Sequence, residues 1–323
     1  MQIAKYDVAV LLIFFNRPET FRQVFDAVKK ARPSKLYLYQ DGARNEADNE
    51  KVMACRKIAE EINWECTVSK WYREKNIGCD PSGYQAQRWL FQNEEQGIVL
   101  EDDVVPNQSF FPFCLELLEK YKYDERINMI CGMNNLDIIE EVPESYFFSE
   151  YGSIWGWASW RRVVQTWDET YSWMGNKNTI ADLKRTFASD HTWKMFYETA
   201  LRHAKEEKAY HETINGVSQK LYHRLNIIPK YNMIMNVGAT ADSTHSNENV
   251  QLIPKFQRSL MYKKTYEIEF PLIHPKYVMQ NHVFDDDVEK RATLWNRFLV
   301  LIERVFLILR YEGVGELMRK IRK

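Results

Sequence analysis

The sequence is poor in the features that mark secreted proteins and nucleic-acid binders. Only five of its 323 residues are cysteines, an odd number that is widely spaced and contains no C-x-x-C pair. This pattern excludes a disulfide framework and a cysteine zinc site, and it favours reduced thiols in the cytoplasm. The formal net charge is −1, so no overall basic field attracts phosphate backbones. We therefore expect no nucleic-acid partner.

Long hydrophobic runs are also missing. The apolar stretch after Asp7 has only eight residues, and no cleavage-site pattern follows it. The unbroken apolar runs near the C-terminus are about five residues long, whereas a helix needs about 20 to span a bilayer. We expect a cytoplasmic protein without a spanning segment.

No internal repeat and no linker rich in Pro, Gly or Ser divides the chain. We expect one domain over residues 1–250 and a C-terminal extension over residues 251–323. Residues 288–323 hold nine basic and four acidic residues, a net charge of +5. Within them, residues 294–311 are apolar except for a stripe through Arg297 and Arg304. Two interpretations stay open: a helix that caps the core, or an amphipathic basic helix on the surface of an anionic membrane, which would place the protein peripherally on its inner face.

Short apolar runs alternate with segments of helical spacing in the first hundred residues. The predicted strands are residues 8–15, 36–39, 66–69 and 97–100, and the predicted helices are residues 19–31, 46–62 and 81–93. This alternation predicts an α/β fold with a mostly parallel sheet flanked by helices. The second half is mixed, with a helix at 110–121, a strand at 127–131, a polar helical stretch at 192–225 and a strand at 231–237.

Polar clusters follow the predicted strands. They are Asn16-Arg17, Gln40-Asp41-Gly42, Arg73 with Asn76 and Gly78, and Glu101-Asp102-Asp103. In open α/β sheets, ligands bind beyond the carboxyl ends of the strands. We therefore expect the four clusters to converge on one crevice that binds a ligand.

Three consecutive carboxylates, Glu101, Asp102 and Asp103, need compensation. Like charges about 4 Å apart repel by roughly 4 kcal/mol at an effective dielectric near 20, so water, a basic side chain or a metal ion must offset the repulsion. On an extended strand, Glu101 and Asp103 share one face and Asp102 lies on the other. Oxygen ligands suit Mg²⁺ or Mn²⁺, which would hold a diphosphate. The alternative is a solvated acidic loop.

Five segments resemble one enzyme family in their order and spacing. They are VLLIFFNRPETFRQVFDAV, LYLYQDGARN, REKNIGC, EDDVVPNQSFFPFCLELLEKYKYDERINMICGMNN and SIWGWASWRR, within about residues 8–246. They are similar to GT-A-fold glycosyltransferases, especially the N-acetylglucosaminyltransferase-like group and bacterial hemolysin-like relatives. The resemblance implies a Rossmann-like GT-A fold with a nucleotide-binding half at about 1–105, an acceptor half at about 106–250, and a Mn²⁺ or Mg²⁺ cofactor.

The resemblance also implies roles for individual residues at the crevice. Asp103 would bind the metal directly, and His245 would complete the metal shell at the diphosphate. A neutral imidazole is a common ligand of Mn²⁺-type ions. Asp41 would accept a hydrogen bond from the nucleotide base. The other side chains expected to contact the nucleotide sugar are Arg17, Arg73, Glu101 and Asp102.

The acceptor half would supply the general base. The family places an acid, in a Trp-Asp context, about 17 positions before a Pro-Lys pair, and here that count from Pro229 leads to Glu212 in AYHETINGV. The chain departs from the pattern, because the acid is Glu and His211 precedes it in place of Trp. Aromatic faces pack on the C–H faces of sugars, and glycine allows close approach. The residues expected to contact the donor or acceptor sugar are Asn134, Asn135, Trp155, Gly156 and Trp157.

Together these features predict a metal-dependent hexosyl- or N-acetylhexosaminyltransferase. It would move a sugar from a nucleotide diphosphate, with uridine favoured as the base, to a hydroxyl of a glycan or lipid-linked glycan in polysaccharide biosynthesis. The resemblance implies inversion at the anomeric carbon. One rival is a sugar-nucleotide pyrophosphorylase, which would need a Gly-rich basic loop where this chain has NRPET. A second rival is a Ca²⁺-dependent carbohydrate-binding module, a class that is usually β-rich.

Overall fold

A computed structural model of the chain describes residues 2–206, 208–239, 259–291 and 294–321. Its strands are β1 (Tyr6–Phe14), β2 (Pro33–Gln40), β3 (Thr67–Tyr72), β4 (Gln96–Glu101), β5 (Val104–Pro106), β6 (Ile127–Cys131), β7 (Tyr146–Ser149), β8 (Trp157–Trp160), β9 (Leu225–Pro229) and β10 (Ile234–Asn236). Its α-helices are α1 (Pro18–Ala31), α2 (Glu46–Ala59), α3 (Cys79–Asn93), α4 (Phe110–Lys120), α5 (Arg161–Val164), α6 (Lys177–Arg185), α7 (Asp190–Lys205), α8 (His211–Leu221), α9 (His282–Arg291), α10 (Leu294–Tyr311) and α11 (Val314–Ile321).

Eight strands form one sheet in the order β3-β2-β1-β4-β8-β6-β9-β7, and β5 pairs with β10 in a small second sheet. The four strands β3, β2, β1 and β4 are parallel, as helical connections require. Strand β8 is antiparallel to both β4 and β6, and β7 is antiparallel to β9. The predicted fold class, an α/β sheet that is mostly parallel and flanked by helices, is confirmed.

Strand β1 shows why its sequence is an unbroken apolar run. Successive side chains of a strand point to opposite faces, and both faces of this strand are covered. Val10 and Leu12 belong to the core that contains α1 and α4, whereas Leu11 belongs to the core that contains α3 and α8. A strand buried on both faces has no position for a polar residue until it ends.

Two predictions in the second half of the chain are wrong in their boundaries: the helical stretch at 192–225, and the strand at 231–237, which as β10 spans only Ile234–Asn236. The helical stretch expected at 192–225 is two helices, α7 and α8, and the strand β9 follows directly. Ile227 of β9 pairs with Ile130 of β6 and with Phe148 of β7, so tertiary pairing sets the start of this strand. The aromatic segment 147–167 contains β7 and β8, each of four residues. A strand that short offers too few positions for an alternating pattern to be recognised.

Residues 280–285 pack against the end of the main sheet. Strand β7 is the last strand in the sheet order, and the N–H of Asn281 donates to the carbonyl of Phe148 at 2.8 Å. Gln280 also forms a parallel bridge with Phe148. Asp285 of α9 accepts from the hydroxyl of Ser149, which fixes α9 beside the same strand. The division of the chain at residue 250 stays a prediction.

Candidate functional site

The carboxyl ends of β1, β2 and β4 open into one cavity of about 130 Å³, together with the turn that leads into α3. Arg17 follows β1, Asp41 follows β2, Gly78 precedes α3, and Glu101 ends β4. All four residues line the cavity. The convergence that the sequence predicts for the four polar clusters is therefore confirmed as geometry.

Arg17 compensates two of the three consecutive carboxylates. Its guanidinium bonds the carboxylate of Asp102, and its Nη1 lies 2.9 Å from Asp103 Oδ2. Asp102 also accepts from the backbone N–H of Phe15 at 3.1 Å. Burial of Arg17 opposes its charge, but Asp102 and Asp103 outweigh this effect and raise the pKa of Arg17. A basic side chain is thus one answer to the repulsion in this acidic stretch.

This geometry corrects the expected direction of the side chains. The sequence predicts Asp102 on the face opposite Asp103, whereas both carboxylates bond the same guanidinium. The reason is that β4 ends at Glu101 and the next two residues form a turn, where the alternation of a strand no longer applies. Arg17, predicted to contact the nucleotide sugar, pairs with these two aspartates.

Glu101 ends β4 and lines the same cavity as Arg17, whose guanidinium pairs with Asp102 and Asp103. Burial, the charge of Asp103 and the charge of Asp102 raise the pKa of Glu101, and the charge of Glu212 adds to the rise. Arg17 acts in the opposite direction but is outweighed. Burial and repulsion therefore hold the Glu101 carboxyl toward its protonated form, and an added cation would favour its charged form.

Asp103 is well suited to bind a divalent metal. Its Oδ1 is buried and has no hydrogen-bond partner among the described residues. A Cβ built on Gly238 would lie 2.1 Å from Asp103 Oδ2, so the glycine leaves the space that this carboxylate occupies. Within the described ranges, no group of three or more His, Cys, Asp or Glu side chains is arranged to hold a metal. Asp103 fits the common arrangement in which Mg²⁺ takes one or two carboxylates together with substrate phosphates and water.

Asp41 lines the cavity and also organises the turn before α3. Its carboxylate accepts from the backbone N–H groups of Gly42, Ile77 and Gly78 at 2.9 to 3.2 Å. The Asn76 side chain donates to the carbonyl of Gly42 at 2.8 Å and joins the two segments from the other direction. The contact of Asp41 with a nucleotide base stays a prediction. The structure adds that Asp41 holds the turn before α3 in place.

Arg73 lies beside the cavity wall. Its Nη1 donates to Gln85 Oε1 at 2.8 Å, and its guanidinium lies 5.7 Å from the ring centre of Trp71. Burial raises the pKa of the Tyr39 hydroxyl, and the charge of Arg73 opposes this rise. Tyr39 lines the cavity, whereas Arg73 is not among its lining residues. A direct contact of Arg73 with the nucleotide sugar stays a prediction.

Glu212 and His211 begin helix α8. Glu212 is exposed, and its charge acts on Glu101, so these two carboxylates lie near each other. His211 is only 6% exposed and lines the cavity. Neither of its ring nitrogens has a hydrogen-bond partner among the described residues. Burial lowers the pKa of His211 to about 4, so the ring is neutral at pH 7 and offers one donor and one acceptor.

Most of the residues predicted to contact sugars instead contact other residues of the protein. Asn134 is fully buried and its amide donates to the carbonyls of Pro229 and Lys230. Trp157 is 2% exposed and stacks on Phe91 with ring centres 6.1 Å apart. Neither residue lines the cavity described above. Their sugar contacts stay predictions.

Three further sugar-contact predictions lie in the same region. Gly156 has φ +67°, and a Cβ there would lie 2.5 Å from the Cδ1 of Ile234, so close packing requires this glycine. Trp155 is partly buried against the core that contains α1 and α4, and Asn135 is partly exposed. The predicted metal ligand His245 lies outside the described residues.

Sequence reasoning missed the role of His211 as a cavity residue, because a lone histidine has no periodic or spacing signature. One signal was present, a glycine inside the predicted helix 81–93. Gly83 faces the imidazole, and a Cβ on it would lie 3.1 Å from His211 Nδ1. A glycine within a helical pattern indicates a close approach of another group.

No protein-family model matches the chain, and no curated protein matches it at a significant level. Solved structures match at low identity. For 4-diphosphocytidyl-2C-methyl-D-erythritol synthase from Anaerococcus prevotii, the identity is 10%, the match covers 59% of this chain and 84% of that chain, and the TM-score is 0.33. For an apo UDP-glucose pyrophosphorylase, the identity is 8%, the match covers 70% of this chain and 93% of that chain, and the TM-score is 0.37.

A further similar structure is mouse xyloside xylosyltransferase 1 in its apo form. The identity is 11%, the match covers 67% of this chain and 81% of that chain, and the TM-score is 0.35. At these scores the likeness carries no argument about substrate or reaction, so the function is argued from the site.

The turn held by Asp41 predicts a strict requirement for glycine at position 42. A Cβ there would lie 2.5 Å from the backbone carbon of Lys75. We expect Gly42→Ala to lower the free energy of unfolding by about 1–3 kcal/mol through overpacking, measured by urea denaturation. Gly216→Ala is the control, because a Cβ at that helical position meets nothing within 4 Å. Equal losses in both variants would contradict the packing argument.

Burial of His211 predicts a pH-dependent stability. Because the folded-state pKa is about 4 and the unfolded value is about 6.5, the unfolded chain binds the extra proton between these values. The contribution is complete above pH 6.5 and declines as the pH falls. Between pH 7 and 5, wild type should lose about 2 kcal/mol more unfolding free energy than His211→Asn. His191→Asn, on the exposed surface of α7, is the control and should follow wild type; parallel curves for all three proteins would refute the assignment.

Proposed function

We propose that the protein is a metal-dependent glycosyltransferase that moves a sugar from a nucleotide diphosphate to a hydroxyl group. The acidic stretch at the end of β4 carries this proposal. One guanidinium, that of Arg17, pairs with two of three consecutive carboxylates, and Asp103 Oδ1 has no hydrogen-bond partner among the described residues. Arg17, Glu101 and Asp102 line the strand-end cavity where a nucleotide would bind, and Asp103 follows them in the chain and shares Arg17 with Asp102.

The charge of the site explains why a metal would be needed. A nucleotide diphosphate is anionic, and Glu101, Asp102, Asp103 and Glu212 would repel it. The cation Arg17 is engaged by two of these carboxylates. A divalent ion held by Asp103 would supply positive charge and act as a Lewis acid on the departing diphosphate. We therefore propose Mn²⁺ or Mg²⁺ as cofactor.

The nucleoside would lie against the cavity wall formed by Asp41 and the turn before α3. Asp41 is held rigidly by three backbone N–H groups, so its carboxylate is positioned before a ligand arrives. A carboxylate oxygen accepts more than one hydrogen bond, which leaves capacity for the ring N–H of a uracil. This favours a UDP-sugar as donor. Guanosine, which also carries a ring N–H, is the alternative base.

Glu212 is proposed as the general base. An inverting transfer needs a carboxylate within hydrogen-bond reach of the acceptor hydroxyl. Glu212 is exposed and lies near Glu101, whose side chain lines the donor cavity. It would remove the acceptor proton as the new glycosidic bond forms and the bond to the diphosphate breaks. The acceptor is proposed to be a glycan or a lipid-linked glycan.

The connection after β1 disfavours a sugar-nucleotide pyrophosphorylase. Strand β1 ends at Phe14 and α1 begins at Pro18, so three residues separate them. One of these residues, Arg17, is bound to Asp102 and Asp103. A Gly-rich loop that wraps a triphosphate has no room there. The eight-stranded sheet with helices on both faces likewise differs from the β-rich modules that bind sugars through Ca²⁺.

The metal role of Asp103 predicts metal-dependent nucleotide binding. With Mn²⁺, wild type should bind UDP at least about tenfold more tightly than without the metal, and Asp103→Asn should lose this gain, a difference of about 1.4 kcal/mol by calorimetry. Asp182→Asn, on the exposed surface of α6, is the control. If folded Asp103→Asn still binds UDP more tightly with Mn²⁺, as wild type does, the assignment of Asp103 as metal ligand is wrong. If wild type does not bind UDP at all, the proposed donor is wrong.

The base role of Glu212 predicts a separation of binding from turnover. Glu212→Gln should lower kcat by about 100-fold or more, because general-base catalysis contributes at least this factor. Binding of UDP with Mn²⁺ should stay within about threefold of wild type, or about 0.6 kcal/mol. UDP release with a panel of UDP-sugars and glycan acceptors measures the effect. Glu198→Gln, an exposed substitution in α7, is the control, and normal turnover in Glu212→Gln would exclude this residue as the base.

A further inference from the structure

One side of helix α10 is apolar and exposed. Leu301, Ile302, Phe306 and Leu309 are 59%, 50%, 58% and 40% exposed. Large apolar side chains that occur singly on a surface need no explanation, but a contiguous group indicates an interaction site. The two buried side chains described in this helix, Leu307 and Ile308, form a small cluster of their own. The four exposed side chains are therefore not packed against the two large core clusters.

The exposed residues form one continuous stripe. At about 100° per residue, Leu301, Leu309, Ile302 and Phe306 fall within an arc of about 140° around the helix axis, and Leu307 and Ile308 lie outside it. The exposed apolar surface continues in the next helix, α11, where Val314 and Met318 are 66% and 48% exposed. We call the exposed apolar residues of α10 and α11 the apolar stripe.

Basic residues flank the apolar stripe. Arg304 and Arg310 of α10 and Arg319 of α11 are exposed. By the same angular count, Arg304 and Arg310 lie outside the arc, one on each side of it. The net charge of residues 288–323 is +5. An apolar stripe bordered by arginines has the composition of helices that lie in the plane of a membrane interface.

We propose that α10 and α11 dock onto the surface of an anionic lipid bilayer through the apolar stripe. None of the described helices is both long and apolar enough to cross a membrane, so the helices would lie on the bilayer. Charge complementarity favours lipid over a second copy of the chain, because pairing two tails of net charge +5 brings like charges together. Acidic head groups would instead attract the flanking arginines.

Vesicle sedimentation tests this docking. At about 0.1 M salt, the full chain should bind vesicles containing phosphatidylglycerol at least about tenfold more tightly than vesicles of phosphatidylcholine alone, and about 1 M salt should abolish the difference by screening. The double variant Ile302→Ser with Phe306→Ser should lose binding by about tenfold or more. The control is Tyr123→Ser with Val283→Ser, two residues that are 85% and 76% exposed elsewhere.

Three outcomes would overturn the proposal. In the first, the wild-type chain does not sediment with anionic vesicles. In the second, the variant Ile302→Ser with Phe306→Ser sediments with them as wild type does. The third is sedimentation velocity showing a wild-type dimer that this variant dissociates, without vesicle binding, which would assign the apolar stripe to a second copy. UDP binding with Mn²⁺, measured in the same variants, separates a failure of docking from a failure of the proposed function.

Discussion

A single guanidinium holds the acidic edge of the sheet together. Arg17 bonds Asp102 and Asp103 and is also the residue directly before α1, so the same contact joins the end of β1 to the turn after β4. Removing one partner of a buried ion pair costs about 3–5 kcal/mol, because the remaining charge stays buried without compensation. One contact thus sets both the shape and the charge of the candidate site.

The first half of the fold was predictable because its pattern is long and regular. The run at β1 is buried on both faces and adjoins a helix with a clear apolar face, which leaves few alternatives. The second half was not, because its strands are short and depend on partners distant in sequence. Strand β8 lies between β4 and β6, two strands that precede it in the chain. A four-residue strand such as Trp157–Trp160 is specified by that pairing and not by its own pattern.

The site was predictable in position but not in its internal bonding. The strand-end rule correctly brought Arg17, Asp41 and Glu101 to one cavity. It could not show that Arg17 is bound to aspartates, because the pairing depends on a turn whose side chains do not alternate. The same limit applies to Trp157 and to His211: residue type alone does not tell a core side chain from a cavity side chain. His245 and its neighbours lie outside the described residues.

The segment at 280–285 has a consequence for solubility. The last strand of a sheet exposes backbone groups that can template the addition of another chain. Asn281 occupies the carbonyl of Phe148, and Asp285 bonds the neighbouring Ser149, so the border of the sheet at β7 is already covered. A shortened protein lacking this segment would present an open strand. Its propensity to polymerise strand to strand would rise even if the cavity at the other strands kept its form.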